Sequence, residues 1–247
     1  MLLKETKAKG LIHTKEVFYI LGHNYYHIRE NNSTIYIIAQ FISKSKINKG
    51  IILLIFATFY DIDKTPVCTT EFIAFAQRYQ DFVDRNAQLM GLSIDSNASH
   101  IAWIINIYRN TGIEIPFPII EDRDMAIARM YGMIQPGVSG TETVRNVFFI
   151  DPNGIIRAKL IYPLTNGRNI GEILRLLDAM QTTDAQKVAT PANWRPGYPT
   201  IIPAPRTVSA AMERLDSGNN CMDWYLCYNE AGEKLVSNKS NTPQTLT

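Results

Sequence analysis

The chain has 247 residues, 46% of them hydrophobic, enough for one large domain or a main domain with an appendage. A net charge of +2 excludes the basic footprint of a nucleic-acid binder and the charge block of an acidic tail. Three cysteines are too few for a disulfide scaffold and fit an intracellular protein with redox or structural thiols.

No apolar run reaches the ~20 residues that a membrane span needs. "IYIIAQFI" and "GIILLIFATFY" are kept apart by "SKSKINK". "MLLKETKAKG" has neither the apolar core nor the cleavage site of a signal peptide, so the expected location is the cytoplasm.

Residues 1–63 are rich in isoleucine, lysine and asparagine and hold no proline, cysteine or tryptophan. His23 and His27, four apart, either share a helix face as metal ligands or are two solvated histidines. "IILLIFA", from Ile51, reads as a buried strand. From Thr69 onward Phe72, Phe75, Tyr79, Phe82 and Val83 recur at helical spacing. "QLMGLSI" (Gln88 to Ile94) is a second strand. Ser96 or Asn97 caps a helix with Ile101, Ile104, Ile105 and Tyr108 expected on its inner face.

"PFPII" is a short strand, and "DMAIARMYG" a short helix closed by Gly132. "VFFI" and "IIRAKLIY" flank the turn "DPNG" and predict a hairpin. Asn169 to Gln181 is a helix with Ile173, Leu176, Leu177 and Met180 inward. Alternating strands and helices that end in a hairpin and a helix imply a layered α/β domain with a mixed sheet. Beyond Thr190, "PANWRPGYPTIIPAP" carries five prolines in fifteen residues and cannot be regular helix. A short helix from about Ser209 to Leu215 follows, then the aromatic "CMDWYLCYNE". This tail is too small for its own core, so its aromatics are expected to pack on the main domain or on another subunit.

One position carries chemistry. In "DKTPVCTTEF" (Asp63 to Phe72), Pro66 pre-sets the backbone entering a helix, and Cys68 falls in that helix's first turn. Free N–H groups and the positive dipole end favour a thiolate there, below the ordinary pKa of ~8.5. Thr65 offers a hydroxyl three residues earlier, and an arginine from elsewhere could complete the site. The plain alternative is a buried, inert cysteine at a strand–helix junction.

"TPVCTTEF" resembles the active-site motif of the peroxiredoxins. "GLSIDSNASHIAW", "IPFPIIED", "ARMYGM", "TVRNVFFIDPNGIIRAKLIYP", "GRNIGEILRLLDAMQ" and "PANWRPG" resemble that family in the same order. The likeness covers about Thr65 to Tyr228. It is closest to the archaeal and bacterial branch related to one-cysteine peroxiredoxins, whose members often carry a C-terminal cysteine pair. Here that pair would be Cys221 and Cys227 in "CMDWYLC".

The resemblance implies a thioredoxin-like α/β fold, a mixed sheet flanked by helices, with a C-terminal dimerisation arm. It implies a poorly matching segment over 1–63, a peroxidase domain over 64–188 and a dimerisation domain and tail over 189–247. The implied activity is thiol-dependent reduction of hydrogen peroxide and organic hydroperoxides through a cysteine sulfenic acid and an intersubunit disulfide, with no cofactor. Cys68 would be the nucleophile, Thr65 would hydrogen-bond the peroxide and Pro66 would shield the sulfur from water at the substrate site. Arg145 would stabilise thiolate and oxyanion, with Glu71 and Arg168 in support, and Cys221 would resolve, with Cys227 able to exchange with it.

Taken singly, Glu71 is a first-turn acid, Arg145 a solvated strand opener, Arg168 a surface turn residue and the cysteine pair a zinc half-site or buried thiols. The implied partners are a thioredoxin-like dithiol reductant and a second copy of the chain, with dimers assembling into a decamer.

The likeness fails upstream of Thr65. The family places a histidine eight residues before its cysteine, where this chain has Tyr60, with Asp61 and Lys64 in place of a proline and a phenylalanine. So abrupt a boundary suggests a shifted reading frame. Tyr60 also favours an alternative, a redox sensor or chaperone-like ring protein with weak peroxidase activity. A non-catalytic assembly protein with Cys68 as a relic is the third reading.

Overall fold

The computed structural model of the chain describes residues 16–21, 24–29, 51–56, 66–133, 145–217 and 220–229. Thr65, Tyr60 and His23 lie outside them. The chain divides into two compact units, Met1–Ile170 and Gly171–Thr247.

The first unit is built on a five-stranded mixed sheet. Its strands are β3 (Ile51–Phe56), β4 (Ala87–Ser93), β5 (Ile119–Glu121), β6 (Arg145–Ile150) and β7 (Ile156–Tyr162), in the order β5-β4-β3-β6-β7. β3 runs parallel to β4, and β4 to β5, whereas β6 is antiparallel to β3 and to β7. The apolar run "IILLIF" therefore holds the central slot, as an all-apolar strand can when both faces are covered. The Asp-Pro-Asn-Gly hairpin forms between β6 and β7. Asp151 Oδ1 accepts from the N–H groups of Asn153 and Ile155, and Gly154 takes φ +81°. A separate hairpin pairs β1 (Glu16–Leu21) with β2 (Asn24–Arg29), opposing Phe18 to His27. His27 is thus a strand residue, and the helix-face pairing of His23 and His27 fails.

The helices of this unit are α1 (Pro66–Gln77), α2 (Tyr79–Asp84), α3 (Asn97–Thr111) and α4 (Ala126–Met130). The helical spacing from Thr69 is split at Arg78. Phe72, Phe75 and Phe82 are fully buried, but the phase slips across the break and turns Val83 out, 43% exposed. Ser96, not Asn97, caps α3, its side chain accepting from Ser99 N–H. Gly112 at φ +70° ends the helix, as a left-handed cap requires.

The inner face of α3 differs from expectation. His100, Trp103 and Ile107 are buried, while Ile105 and Tyr108 are 44% and 56% exposed and Ile101 and Ile104 are half-buried. Apolar residues fall nearly all round this helix, so periodicity alone does not fix its rotation. Packing of the Trp103 indole against Phe72 is the more specific constraint.

The second unit holds α5 (Ile170–Gln186, shared at its first residue), α6 (Val208–Asp216) and a small sheet. In that sheet β10 (Leu226–Asn229) lies between β8 (Thr200–Ile201) and β9 (Cys221–Asp223). α5 runs five residues beyond the expected Gln181 because "TTDAQ" contains no breaker, and it stops where Lys187 takes φ +56°. Ile173, Leu177 and Met180 are buried as expected, while Leu176 is half-buried. Thr207 caps α6 by accepting from Ala210 N–H.

Candidate functional site

α1 opens with Pro66, whose missing N–H costs nothing in a first turn, and Cys68 is its third residue. Thr70 Oγ1 donates to Val67 O at 2.7 Å and tightens that turn. The Cys68 thiol is 1% exposed. Glu71 follows one turn later on the same helix face and is also buried, at 3%.

Two arginines from distant segments meet this face. Arg145, the first residue of β6, places Nη1 3.0 Å from Cys68 Sγ and 2.9 Å from Glu71 Oε2, and donates from Nε to Leu164 O at 2.7 Å. Arg168 lies in the loop after β7. Its Nη1 donates to Glu71 Oε2 at 2.6 Å, its backbone N–H to Glu71 Oε1 at 2.8 Å, and its Nη2 to Asn146 O at 3.2 Å. Both guanidinium groups are buried, so the solvated and surface-turn readings of Arg145 and Arg168 do not hold, nor does that of Glu71 as a plain first-turn acid.

The charges explain the arrangement. Among the described residues, two guanidinium cations face the Glu71 carboxylate in a water-poor site, and the charge of each favours an ionised Cys68. Burial nevertheless pushes the Cys68 thiol above its ordinary value, against the expectation of a depressed one. Arg145, by charge and hydrogen bond, pulls it back, Glu71's charge adds to the rise, and Arg168 opposes it. Burial also pushes Arg168 down, with the Glu71 carboxylate opposing.

The structure thus brings Cys68, Glu71, Arg145 and Arg168 together. Pro66 is exposed at the start of the same turn, and Thr65 lies outside the described residues. Two partners were missed from sequence. The carbonyls of Leu164 and Asn146 fix the arginine forks, and backbone acceptors leave no mark on residue type. Trp103 was missed as well. Its Nε1 donates to Thr69 Oγ1, next to Cys68, at 3.0 Å.

In the second unit Cys221 and Cys227 form a disulfide that joins β9 to β10. Cys227 is fully buried and Cys221 half-buried. The zinc half-site reading does not fit sulfurs bonded to each other.

Residues 37–159 match the AhpC/TSA family, and residues 179–218 match the C-terminal domain of 1-Cys peroxiredoxin. Peroxiredoxin 2 of Caldanaerobacter subterraneus subsp. tengcongensis is 60% identical over 168 residues, covering 67% of this chain and 76% of that protein. The peroxiredoxin of Aquifex aeolicus is 55% identical over 175 residues, covering 67% and 79%. Among solved structures, yeast mitochondrial 1-Cys peroxiredoxin aligns with a TM-score of 0.68 at 30% identity, covering 93% of this chain and all of that one. Peroxiredoxin 6 of Arenicola marina aligns with a TM-score of 0.64 at 31% identity, covering 76% and 89%. The mixed sheet with its flanking helices is the thioredoxin-like fold of these proteins.

Proposed function

The chain belongs to the peroxiredoxin family of thiol-dependent peroxidases, and from that premise we propose that Cys68 is its peroxide-reducing nucleophile. The observation that carries this reading is the buried contact of Arg145 with both Cys68 Sγ and Glu71. The Cys68 thiolate attacks the terminal oxygen of hydrogen peroxide or an organic hydroperoxide. The O–O bond breaks, the sulfur becomes sulfenic acid, and the leaving oxygen takes a proton to depart as water or an alcohol. Arg145 meets the charge that develops on that oxygen, Thr65 serves as a hydrogen-bonding group for the peroxide, and Pro66 shields the sulfur from water. Glu71 and Arg168 hold the Arg145 fork in place.

Cys221 of a second subunit then attacks the sulfenic sulfur. The S–O bond breaks, an intersubunit disulfide forms, and the oxygen leaves as water. Cys227 can displace Cys68 from Cys221, which returns Cys68 as a thiol and leaves the disulfide seen between β9 and β10. The half-burial of Cys221 against the full burial of Cys227 supports Cys221 as the sulfur first engaged. A thioredoxin-like dithiol completes the cycle.

Residues 64–188 serve as the peroxidase domain and 189–247 as the dimerisation region, with dimers assembling into a decamer. Val208, Met212 and Leu215 form an exposed apolar stripe along α6, which supports docking of a second copy. Among the described residues no helix is long and apolar enough to cross a membrane, and the proposed location is the cytoplasm.

Peroxide consumption with dithiothreitol as reductant tests the reading. Cys68→Ser is expected to abolish it, and a Cys68→Ser protein as active as the wild type overturns the assignment. A second reading, a redox sensor or chaperone-like ring protein with weak peroxidase activity, is favoured by the burial that raises the Cys68 thiol. A wild-type rate only slightly above that of free dithiothreitol, with the excess lost in Cys68→Ser, supports it.

A further inference from the structure

Cys68 is 1% exposed, so any thiol larger than a peroxide reaches it only after the first turn of α1 opens. Opening must break whatever ties that turn to its surroundings. On the Glu71 side lie the two arginines. On the other side is a contact that peroxide chemistry does not require: Trp103 Nε1, on α3, donates to Thr69 Oγ1 at 3.0 Å. Thr69 is bonded through the chain to Cys68. The indole is 7% exposed and held edge-on against Phe72 of α1, with ring centroids 4.7 Å apart, so its N–H is aimed before the bond forms.

We propose that Trp103 is a positioning residue for Cys68, latching the first turn of α1 to α3 through Thr69 and setting how often that turn opens. Resting on the assignment of Cys68 above, this makes the latch the control on passage from peroxide reduction, which uses the closed turn, to disulfide formation, which needs the open one. A tighter latch leaves the sulfenic acid longer in the pocket, where a second peroxide can oxidise it to sulfinic acid. A looser one hands the sulfur to Cys221 sooner.

The test uses the full chain with Cys221→Ser and Cys227→Ser, which leaves Cys68 as its one thiol. Alkylation of the reduced protein by a bulky maleimide reads the open population, because reagent meets sulfur only there. Trp103→Phe keeps an aromatic ring but removes the N–H together with the five-membered half of the indole. Thr69→Val keeps the shape and removes the hydroxyl. Each is expected to raise the alkylation rate about two- to tenfold, the worth of one neutral hydrogen bond. The double variant is expected to be no faster than the faster single one, because both break the same bond.

Thr69→Ser, which keeps the hydroxyl, restores the wild-type rate. Low urea separates a latch from general weakening: local opening exposes little surface, so the alkylation rate rises only weakly with denaturant. Unchanged rates in both single variants overturn the proposal, as do additive effects, failure of Thr69→Ser to restore, or a steep urea dependence. Oxidation of Cys68 by hydrogen peroxide is followed in the same proteins. If it is absent in all of them, the nucleophile assignment fails, while the alkylation result still decides the latch.

Discussion

Arg145 and Glu71 are joined by an Nη1–Oε2 contact of 2.9 Å inside the protein, and that same Nη1 lies 3.0 Å from Cys68 Sγ. One nitrogen therefore serves both the Glu71 carboxylate and the Cys68 sulfur. Arg168 meets the same Glu71 oxygen at 2.6 Å, so the charges of both arginines and of Glu71 act on the Cys68 thiol. Each group can be tested through its effect on the others.

Glu71→Gln removes the anion and leaves two buried guanidinium groups facing each other. Breaking one member of a buried ionic cluster costs about 3–5 kcal/mol, so thermal or urea unfolding should shift by that amount. The thiol responds in the opposite sense to stability. Glu71's charge is one of the causes holding Cys68 up, and its removal should lower the thiol pKa. Thiolate absorbance followed against pH checks this. A less stable protein with an unchanged or higher thiol pKa would contradict it.

Arg145→Lys keeps the charge and loses the fork. The guanidinium bonds Leu164 O through Nε while Nη1 meets both Cys68 and Glu71. A single ammonium cannot span those directions. The thiol should rise further above its ordinary value, because the chief opposing cause weakens while burial remains. The rate of the first peroxide step should fall by roughly 10²–10³, the usual cost of losing an oxyanion donor. Stopped-flow measurement of that step in wild type and variant is the check.

Cys221→Ser should leave peroxide-treated protein monomeric on non-reducing gels, with Cys68 accumulating first as sulfenic and then as sulfinic acid by mass spectrometry. Cys227→Ser should still give the Cys68–Cys221 dimer. Normal cycling of the Cys221→Ser protein would move the resolving role to Cys227 or to an external thiol.

His100 supplies a pH dependence of stability. Burial lowers its pKa from 6.5 to about 4. Between those values the unfolded chain binds a proton that the folded chain does not, so stability rises with pH across the window. The contribution is complete above pH 6.5 and is lost as pH falls to about 4, amounting to roughly 3 kcal/mol. Urea midpoints at neutral pH and near the lower limit should differ less in His100→Gln than in wild type. Equal differences in the two proteins would show that His100 is not the group responsible.

The sequence was most legible where one residue type has one use. Proline before Cys68, glycine after α3 and Asp-Pro-Asn-Gly between β6 and β7 announce their structures because few residues suit those backbones. The apolar run at Ile51 likewise declared a central strand. Legibility failed where several apolar residues competed for one face. On α3 six large apolar residues, Ile101, Trp103, Ile104, Ile105, Ile107 and Tyr108, surround the helix, and the rotation is decided by an aromatic contact with another element, which sequence spacing does not contain. Within the site Cys68, Glu71, Arg145 and Arg168 were named through their resemblance to a family. The carbonyls of Leu164 and Asn146 could not be, since every residue carries one. The sign of the Cys68 shift was missed because the helix terminus and the arginine were visible in the sequence and the depth of burial was not.

Gly91 tests how closely α1 is seated on the sheet. It lies in β4, paired with Ile55 on one side and Ile119 on the other. A Cβ added there would sit 3.0 Å from Phe72 Cζ and 3.3 Å from both Phe72 Cε1 and Ile119 Cγ1. Its backbone is not in the left-handed region, so this glycine is required by close approach rather than by conformation. A glycine replaced by alanine on a compatible backbone ordinarily gains about 0.4–1 kcal/mol through the unfolded state. Here the neighbour cannot give way. Phe72 is fully buried, with the Trp103 ring at 4.7 Å and the Phe117 ring at 5.2 Å. Overpacking of this kind costs about 1–3 kcal/mol, so Gly91→Ala should destabilise on balance. Because Phe72 follows Glu71 on α1, displacing it should also disturb the Arg145 contact and slow the peroxide step. Phe72→Leu in the same protein should recover part of the lost stability by making room. Urea unfolding of the single and double variants decides the matter, and a Gly91→Ala protein as stable as wild type would show that α1 stands further from β4 than the 3.0 Å approach implies.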